Sequence, residues 1–177
     1  MEMITAPAIT EPIVTIEQML VARDRRAARE AAALARFDLP LLSMNVVTPG
    51  PVKDGWLPRR VLEAAVEEVE VLCTAGHWRV RWRHVAWPDT GPEALYVVDV
   101  DAELLKAATI HLEDEHPLGR LWDLDVIAPR HGRLSRQALG RRERRCPVCE
   151  EPADACRRAR QHPAEELVTA YGLHSRA

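Results

Sequence analysis

Between Leu41 and Ile127 the spacing of apolar residues changes in a fixed order: strand-like, helical, strand-like twice, helical, strand-like. That order constrains the fold more than any other property, because periods of 2 and 3.6 are not interchangeable within one segment. Leu41 to Val47 is a short apolar run ended by the breakers Thr48 to Pro51, as expected of a buried strand. From Pro58 to Cys73, Val61, Ala65, Val69 and Leu72 share one helical face, with Cys73 on the core side and Gly76 closing the helix. His77 to Trp87 alternates, with Trp78, Val80 and Trp82 on one side and Arg79, Arg81 and Arg83 on the other. The turn residues Pro88 to Pro92 lead into an apolar strand, Ala94 to Val100. Asp101 caps a helix whose Leu104, Leu105, Ala108 and Leu112 share a face. Pro117 and Gly119 end it, and Leu121 to Ile127 is the last strand. Two crossovers returning to one antiparallel sheet give an α+β fold, the ferredoxin-like split βαββαβ. Analogy with that fold supplies the sheet order 4-1-3-2.

The flanks are of a different kind. Residues 1–14 read as a loose leader, and 15–177 as a single domain with a core at about 40–128. Thr15 and Gln18 form a capping box at the start of an alanine- and arginine-rich helix that reaches Arg36 and is expected to pack outside the core. The tail, about 130–177, is rich in arginine and cysteine and carries a final helix around Ala164 to Tyr171. The net charge of -3 conceals a polarity: eleven of the 24 basic residues are arginines between Arg120 and Arg160. Planar guanidinium forks suit phosphate, so an anionic substrate or partner is expected, although a solvated basic face has the same composition. No apolar run is long enough to span a membrane, and the N-terminus lacks the layout of a secretion signal. A reducing cytoplasm is therefore expected, where clustered cysteines are thiols or metal ligands rather than disulfides.

Four groups of residues can carry chemistry. Asp123 and Asp125 are two apart on a strand, so both side chains leave the same face. Paired carboxylates repel unless a cation intervenes, and Mg²⁺ shared with phosphate oxygens fits that need. An exposed strand with alternating acids has the same spacing. Lys53, in the loop after the first strand, can neutralise a phosphate, or be an exposed lysine on a proline turn. Arg120 and Arg136, with Ser135, lie near enough in sequence to bind outer phosphates. Glu113 and His116 are candidate proton acceptors, His116 also being a plausible helix-end cap. Cys146, Cys149, Cys156 and His162 can close a Cys₃His zinc site, or the thiols can simply pack as small apolar groups.

These segments together resemble the citrate lyase holo-acyl-carrier-protein synthases, also called apo-citrate lyase phosphoribosyl-dephospho-CoA transferases. The resemblance runs from about Thr15 to Leu167 and is most specific where Gly119 to Val126 is joined by Arg144, Arg145, Cys146 and Cys149. It implies a transferase domain that takes the 2′-(5″-phosphoribosyl)-3′-dephospho-CoA group from its 5″-triphosphate (triphosphoribosyl-dephospho-CoA). The acceptor is a serine of the apo acyl carrier subunit of citrate lyase, and pyrophosphate leaves. Chemically this is a nucleotidyltransferase-type step, which depends on positioning and charge neutralisation. With the resemblance, Mg²⁺ falls to Asp123 and Asp125, and the triphosphate to Lys53, Arg120, Arg136 and Arg145. Two other functions share the sequence features: the same transfer to another carrier, and a non-catalytic nucleotide- or RNA-binding module. Trp78 and Trp82 on the apolar side, rather than on a stacking platform, argue against nucleic acid.

Overall fold

The computed structural model describes residues 13–163, 165–167 and 169–170. The elements are α1 (Ile16–Phe37), β1 (Leu41–Val46), α2 (Trp56–Ala75), β2 (Arg79–Ala86), β3 (Glu93–Asp99), α3 (Ala102–Glu115), β4 (Trp122–Ala128), β5 (Gly132–Arg133) and α4 (Ala153–Ala159). The strands form one antiparallel sheet in the order β2-β3-β1-β4-β5. Its first four strands have the ferredoxin-like order 4-1-3-2, counted from the other edge. The extra strand β5 is two residues long, too short for any period to reveal it.

Helices α2 and α3 cover one face of the sheet. There Leu42 and Met44 of β1, Tyr96 of β3 and Trp122 of β4 meet Val61, Leu62 and Val69 of α2. Cys73 belongs to this core, as its place on the helix implies. Trp122 is wholly buried, and its indole N–H donates to the Val61 carbonyl at 2.9 Å, so no polar group is left unpaired.

Helix α1 lies outside the βαββαβ unit, as expected, yet it seals the second face. Ala33, Leu34 and Phe37 pack on Leu41, Leu95, Val97 and Ile127. The Thr15 capping box is formed, and Asp38 ends the helix in the left-handed region at φ 48°. Arg26 and Arg29 both bond Glu93 of β3, a charge that burial would otherwise penalise. Ile13 bridges Val52, and the Val14 N–H donates to the Pro51 carbonyl at 2.9 Å. Residues 1–12 of the expected leader lie outside the described residues. So do Ala164, Val168 and Tyr171 of the expected last helix, whose residues 165–167 and 169–170 are helical.

Two expectations are corrected by the packing. A bulge interrupts β2, so that Val80 pairs with Val98 but Trp82 with Val97. The inserted residue turns Trp82 to the α1 face, 6.4 Å from Phe37 between ring centroids, while Trp78 and Val80 stay with α2. Strict alternation cannot register such an insertion. On α3 the buried stripe is Leu105, Lys106, Thr109, Ile110 and Glu113, and Leu104 is 52% exposed. The stripe is rotated toward two charged residues whose partners lie on β4.

Candidate active site

Strand β4 has β1 along one side, but β5 pairs only with Ile127 and Ala128 on the other. An open strand edge leaves amide groups that must find partners. Side chains supply them here. The Leu124 N–H donates to Glu113 Oε1 at 2.8 Å, and its carbonyl accepts from Lys106 Nζ at 2.9 Å. The Trp122 carbonyl accepts from Arg144 at 2.5 Å. Glu113 in turn binds Arg136 at 2.7 Å and Arg144 at 2.6 Å. One buried carboxylate thus fixes a helix, a strand edge and two guanidinium groups.

Alternation along β4 sends Trp122, Leu124 and Val126 into the α2 and α3 core. Asp123 and Asp125 therefore leave together on the other face, opposite Asn45 and Ser43 of β1. Asp125 pairs with Arg133, which also reaches Glu30 of α1 at 3.1 Å. Burial, and then the charge of Asp125, push the Asp123 carboxyl above its ordinary range, despite the nearby Arg144 and Lys106. Asp125 is held by Arg133, whereas Asp123 makes no ion pair among the described residues. Two same-face carboxylates in that condition fit a hard divalent cation that takes its other oxygens from substrate and water.

The pair opens onto a cleft of ≈ 1060 Å³ that wraps round the β4 edge. Pockets for small ligands run to about 1,000 Å³, so the cleft is of ligand-binding size. Lys53, Lys106, Arg120, Arg136, Arg144 and Arg145 all line it, as do Arg157 and Arg160 of the tail. Burial holds the Lys53 and Lys106 amines below their ordinary pKa. Lys53 donates to the Thr48 carbonyl at 2.5 Å, and its loop is pinned by Asp54, whose two carboxylate oxygens accept from Arg59 at 2.8 and 2.5 Å. A smaller hollow of ≈ 430 Å³ lies at the β2 edge. Its polar groups satisfy one another, since the Tyr96 hydroxyl and Arg83 both donate to Glu70.

The fold thus gathers Asp123, Asp125, Lys53, Arg120, Arg136 and Arg145 in one cleft. Arg120 also donates to the Cys146 carbonyl at 3.4 Å, and Arg145 pairs with Glu150. Glu113 lies in the wall with both oxygens engaged. His116 is not among the cleft residues: it stacks on Trp122 at 4.3 Å, on the core side of β4. Its Nδ1 accepts from the Leu118 N–H, and its Nε2 lies 3.9 Å from Glu68. Sequence reasoning did not place Lys106 in the site, and took Arg144 as part of the family motif without giving it a role there. The signal for Lys106 was its place seven residues before Glu113, two helical turns along the same face.

The three tail cysteines and His162 converge. Their ligand atoms all lie within 4.8 Å of one another, so the cluster can bind a metal ion. Cys149 Sγ is 3.5 Å from Cys156 Sγ and 3.3 Å from His162 Nε2. His162 Nδ1 faces Glu166 at 3.4 Å, which turns Nε2 toward the sulfurs. Burial opposes ionisation of Cys146, yet the N–H groups of Val148 and Cys149 and the neighbouring thiols outweigh it and lower its pKa. Cys156 moves the other way, pushed up by burial and by the neighbouring thiols, so the convergence of the four ligands rather than their ionisation marks the site.

Fold and cleft together define an α+β protein with a strongly basic cleft beside an acidic pair. Among the described residues no helix is long and apolar enough to cross a membrane. Residues 14–172 match the apo-citrate lyase phosphoribosyl-dephospho-CoA transferase family. A relative of that name from Citrobacter koseri is 41% identical over 159 residues, covering 90% of this chain and 87% of its own. Relatives of the same name from Escherichia coli O1:K1 / APEC and Shigella flexneri serotype 5b are 41% and 40% identical over 155 residues, 88% of this chain and 85% of theirs. The chain belongs to the apo-citrate lyase phosphoribosyl-dephospho-CoA transferase family.

Proposed function

We propose that this enzyme attaches the 2′-(5″-phosphoribosyl)-3′-dephospho-CoA group to a serine of the apo acyl carrier subunit of citrate lyase. The observation that carries the reading is the meeting of Asp123 and Asp125 with lysines and arginines from separate segments in one cleft. The serine hydroxyl attacks the α-phosphorus of the donor's 5″-triphosphate. A serine–phosphorus bond forms, the bond to the β-phosphate oxygen breaks with its electron pair, and pyrophosphate leaves as the hydroxyl proton is lost.

Lys53, Arg120 and Arg145 bind the β- and γ-phosphates, and Lys106 places a buried cation behind the α-phosphate. Arg136 and Arg144, anchored on Glu113, keep the wall in register with β4. Asp123 and Asp125 would hold Mg²⁺, which when bound would supply charge neutralisation for the phosphates. Glu113 and His116 act as supports, because the carboxylate of the first is fully engaged and the ring of the second faces the core. We assign zinc to the Cys146, Cys149, Cys156 and His162 cluster, since three thiolates and an imidazole suit that ion. With every ligand drawn from the protein the site is structural. Cysteines without disulfides support a reducing cytoplasm as the setting of the reaction.

Incubation of apo carrier subunit with donor triphosphate and Mg²⁺, followed by intact-mass spectrometry, tests the proposal. The carrier gains the mass of the prosthetic group and pyrophosphate accumulates in step. An unchanged carrier mass together with steeply salt-dependent RNA binding identifies a binding module instead.

A further inference from the structure

The cleft wall formed by the tail has almost no apolar interior. Between residues 132 and 163 only Cys146 and Cys156 are buried, and both belong to the metal-ligand cluster. Helix α4 has seven residues, too few to persist without tertiary support. The backbone around it is a tight knuckle, with the Cys146 N–H donating to the Glu151 carbonyl and the Ala153 N–H to the Arg144 carbonyl, both at 2.8 Å. Nothing in that knuckle replaces a hydrophobic core. The same stretch presents Arg144, Arg145, Arg157 and Arg160 to the cleft.

We infer that the Cys₃His metal ion is the folding core of this wall, so that metal occupancy controls whether the tail arginines are held in place for the donor's phosphates. The inference rests on the zinc assignment and not on which carrier accepts the group. Small modules lacking an apolar core commonly fold only around a metal, because the binding free energy is then the folding free energy. The βαββαβ sheet has its own cores on both faces and does not depend on the ion. Arg120, which reaches the Cys146 carbonyl, joins the two parts, so loss of the ion also loosens a cation that the sheet side supplies.

Full-length protein purified in the presence of zinc is to be assayed for metal content, then stripped with a zinc-selective chelator while Mg²⁺ is kept in excess. Hydrogen exchange read by mass spectrometry reports the wall and the sheet separately. The expected result is one zinc per chain. On stripping, amide protection is lost across residues 144–161 and kept in β1 and β3. Donor affinity falls at least about tenfold as arginine–phosphate bonds disappear, and added zinc restores it. Cys149→Ser should show the stripped exchange pattern without chelator. Protection of 144–161 that survives zinc loss, or a protein that takes up no zinc, overturns the inference. If the wall melts but the zinc-loaded protein leaves the carrier unmodified, the transferase reading fails while this one stands.

Discussion

Glu113 is the residue on which the cleft converges. Its carboxylate receives the Leu124 amide, Arg136 and Arg144 while almost wholly buried, so each partner depends on the others. Removing one member of a buried charged cluster leaves the rest unpaired, and Glu113→Ala should cost about 3–5 kcal/mol in urea unfolding. A loss within experimental error would contradict the role given to it. Lys106 has a pH signature. Its folded pKa lies below the ordinary 10.5 because of burial, so the folded state binds fewer protons than the unfolded chain between the two values. The strain of a buried charge is therefore present below the folded pKa and relieved as pH rises toward 10.5. Unfolding free energies measured across that window should rise with pH more steeply for the native protein than for Lys106→Met. Equal slopes would refute this. The supporting roles of Lys106 and Arg144 were hard to read from the sequence, where Lys106 interrupts an apolar run and Arg144 stands out only as part of the Arg144 to Cys149 motif. Their partners are backbone groups of β4, and only the folded register brings them together. The Asp pair was legible because alternation along a strand fixes a shared face without tertiary information.

At the scale of elements, the turn between α3 and β4 sets the site. The Gly119 N–H donates to the His116 carbonyl at 2.8 Å, and a Cβ at that residue would sit 2.5 Å from the carbonyl oxygens of Leu112 and Glu113. Those atoms are backbone and cannot swing aside. Gly119→Ala should shift the last turn of α3, carrying Glu113 with it, and cost about 2–3 kcal/mol by thermal or urea unfolding. An alanine variant of native stability would mean that the turn is looser than its contacts imply. Sheet order came from analogy with the ferredoxin-like fold, whereas element order was readable from period and breakers, because helical and strand spacings differ. The bulge in β2 was not, since Trp82 fits either face in an alternating pattern and only pairing with Val97 decides it. The buried stripe of α3 escaped for a related reason: two of its members are charged, and an apolar pattern points past them to Leu104.

For the whole molecule, the sheet is a platform with its chemistry at one edge. Two apolar cores, one under α1 and one under α2 and α3, make β4 rigid, and its unpaired side becomes the floor of the cleft. The tail then supplies a cationic wall that the sheet cannot provide. Family membership and this geometry point to the same reaction, in which positioned charge does most of the catalytic work. The centre we propose for it is the acidic pair of β4. The direct test is single-turnover transfer from the donor triphosphate to apo carrier subunit at saturating Mg²⁺, comparing native enzyme with Asp123→Asn and Asp125→Asn. The account predicts that each variant keeps its fold by circular dichroism and loses at least about a hundredfold in rate. Near-native rates in both folded variants would contradict it.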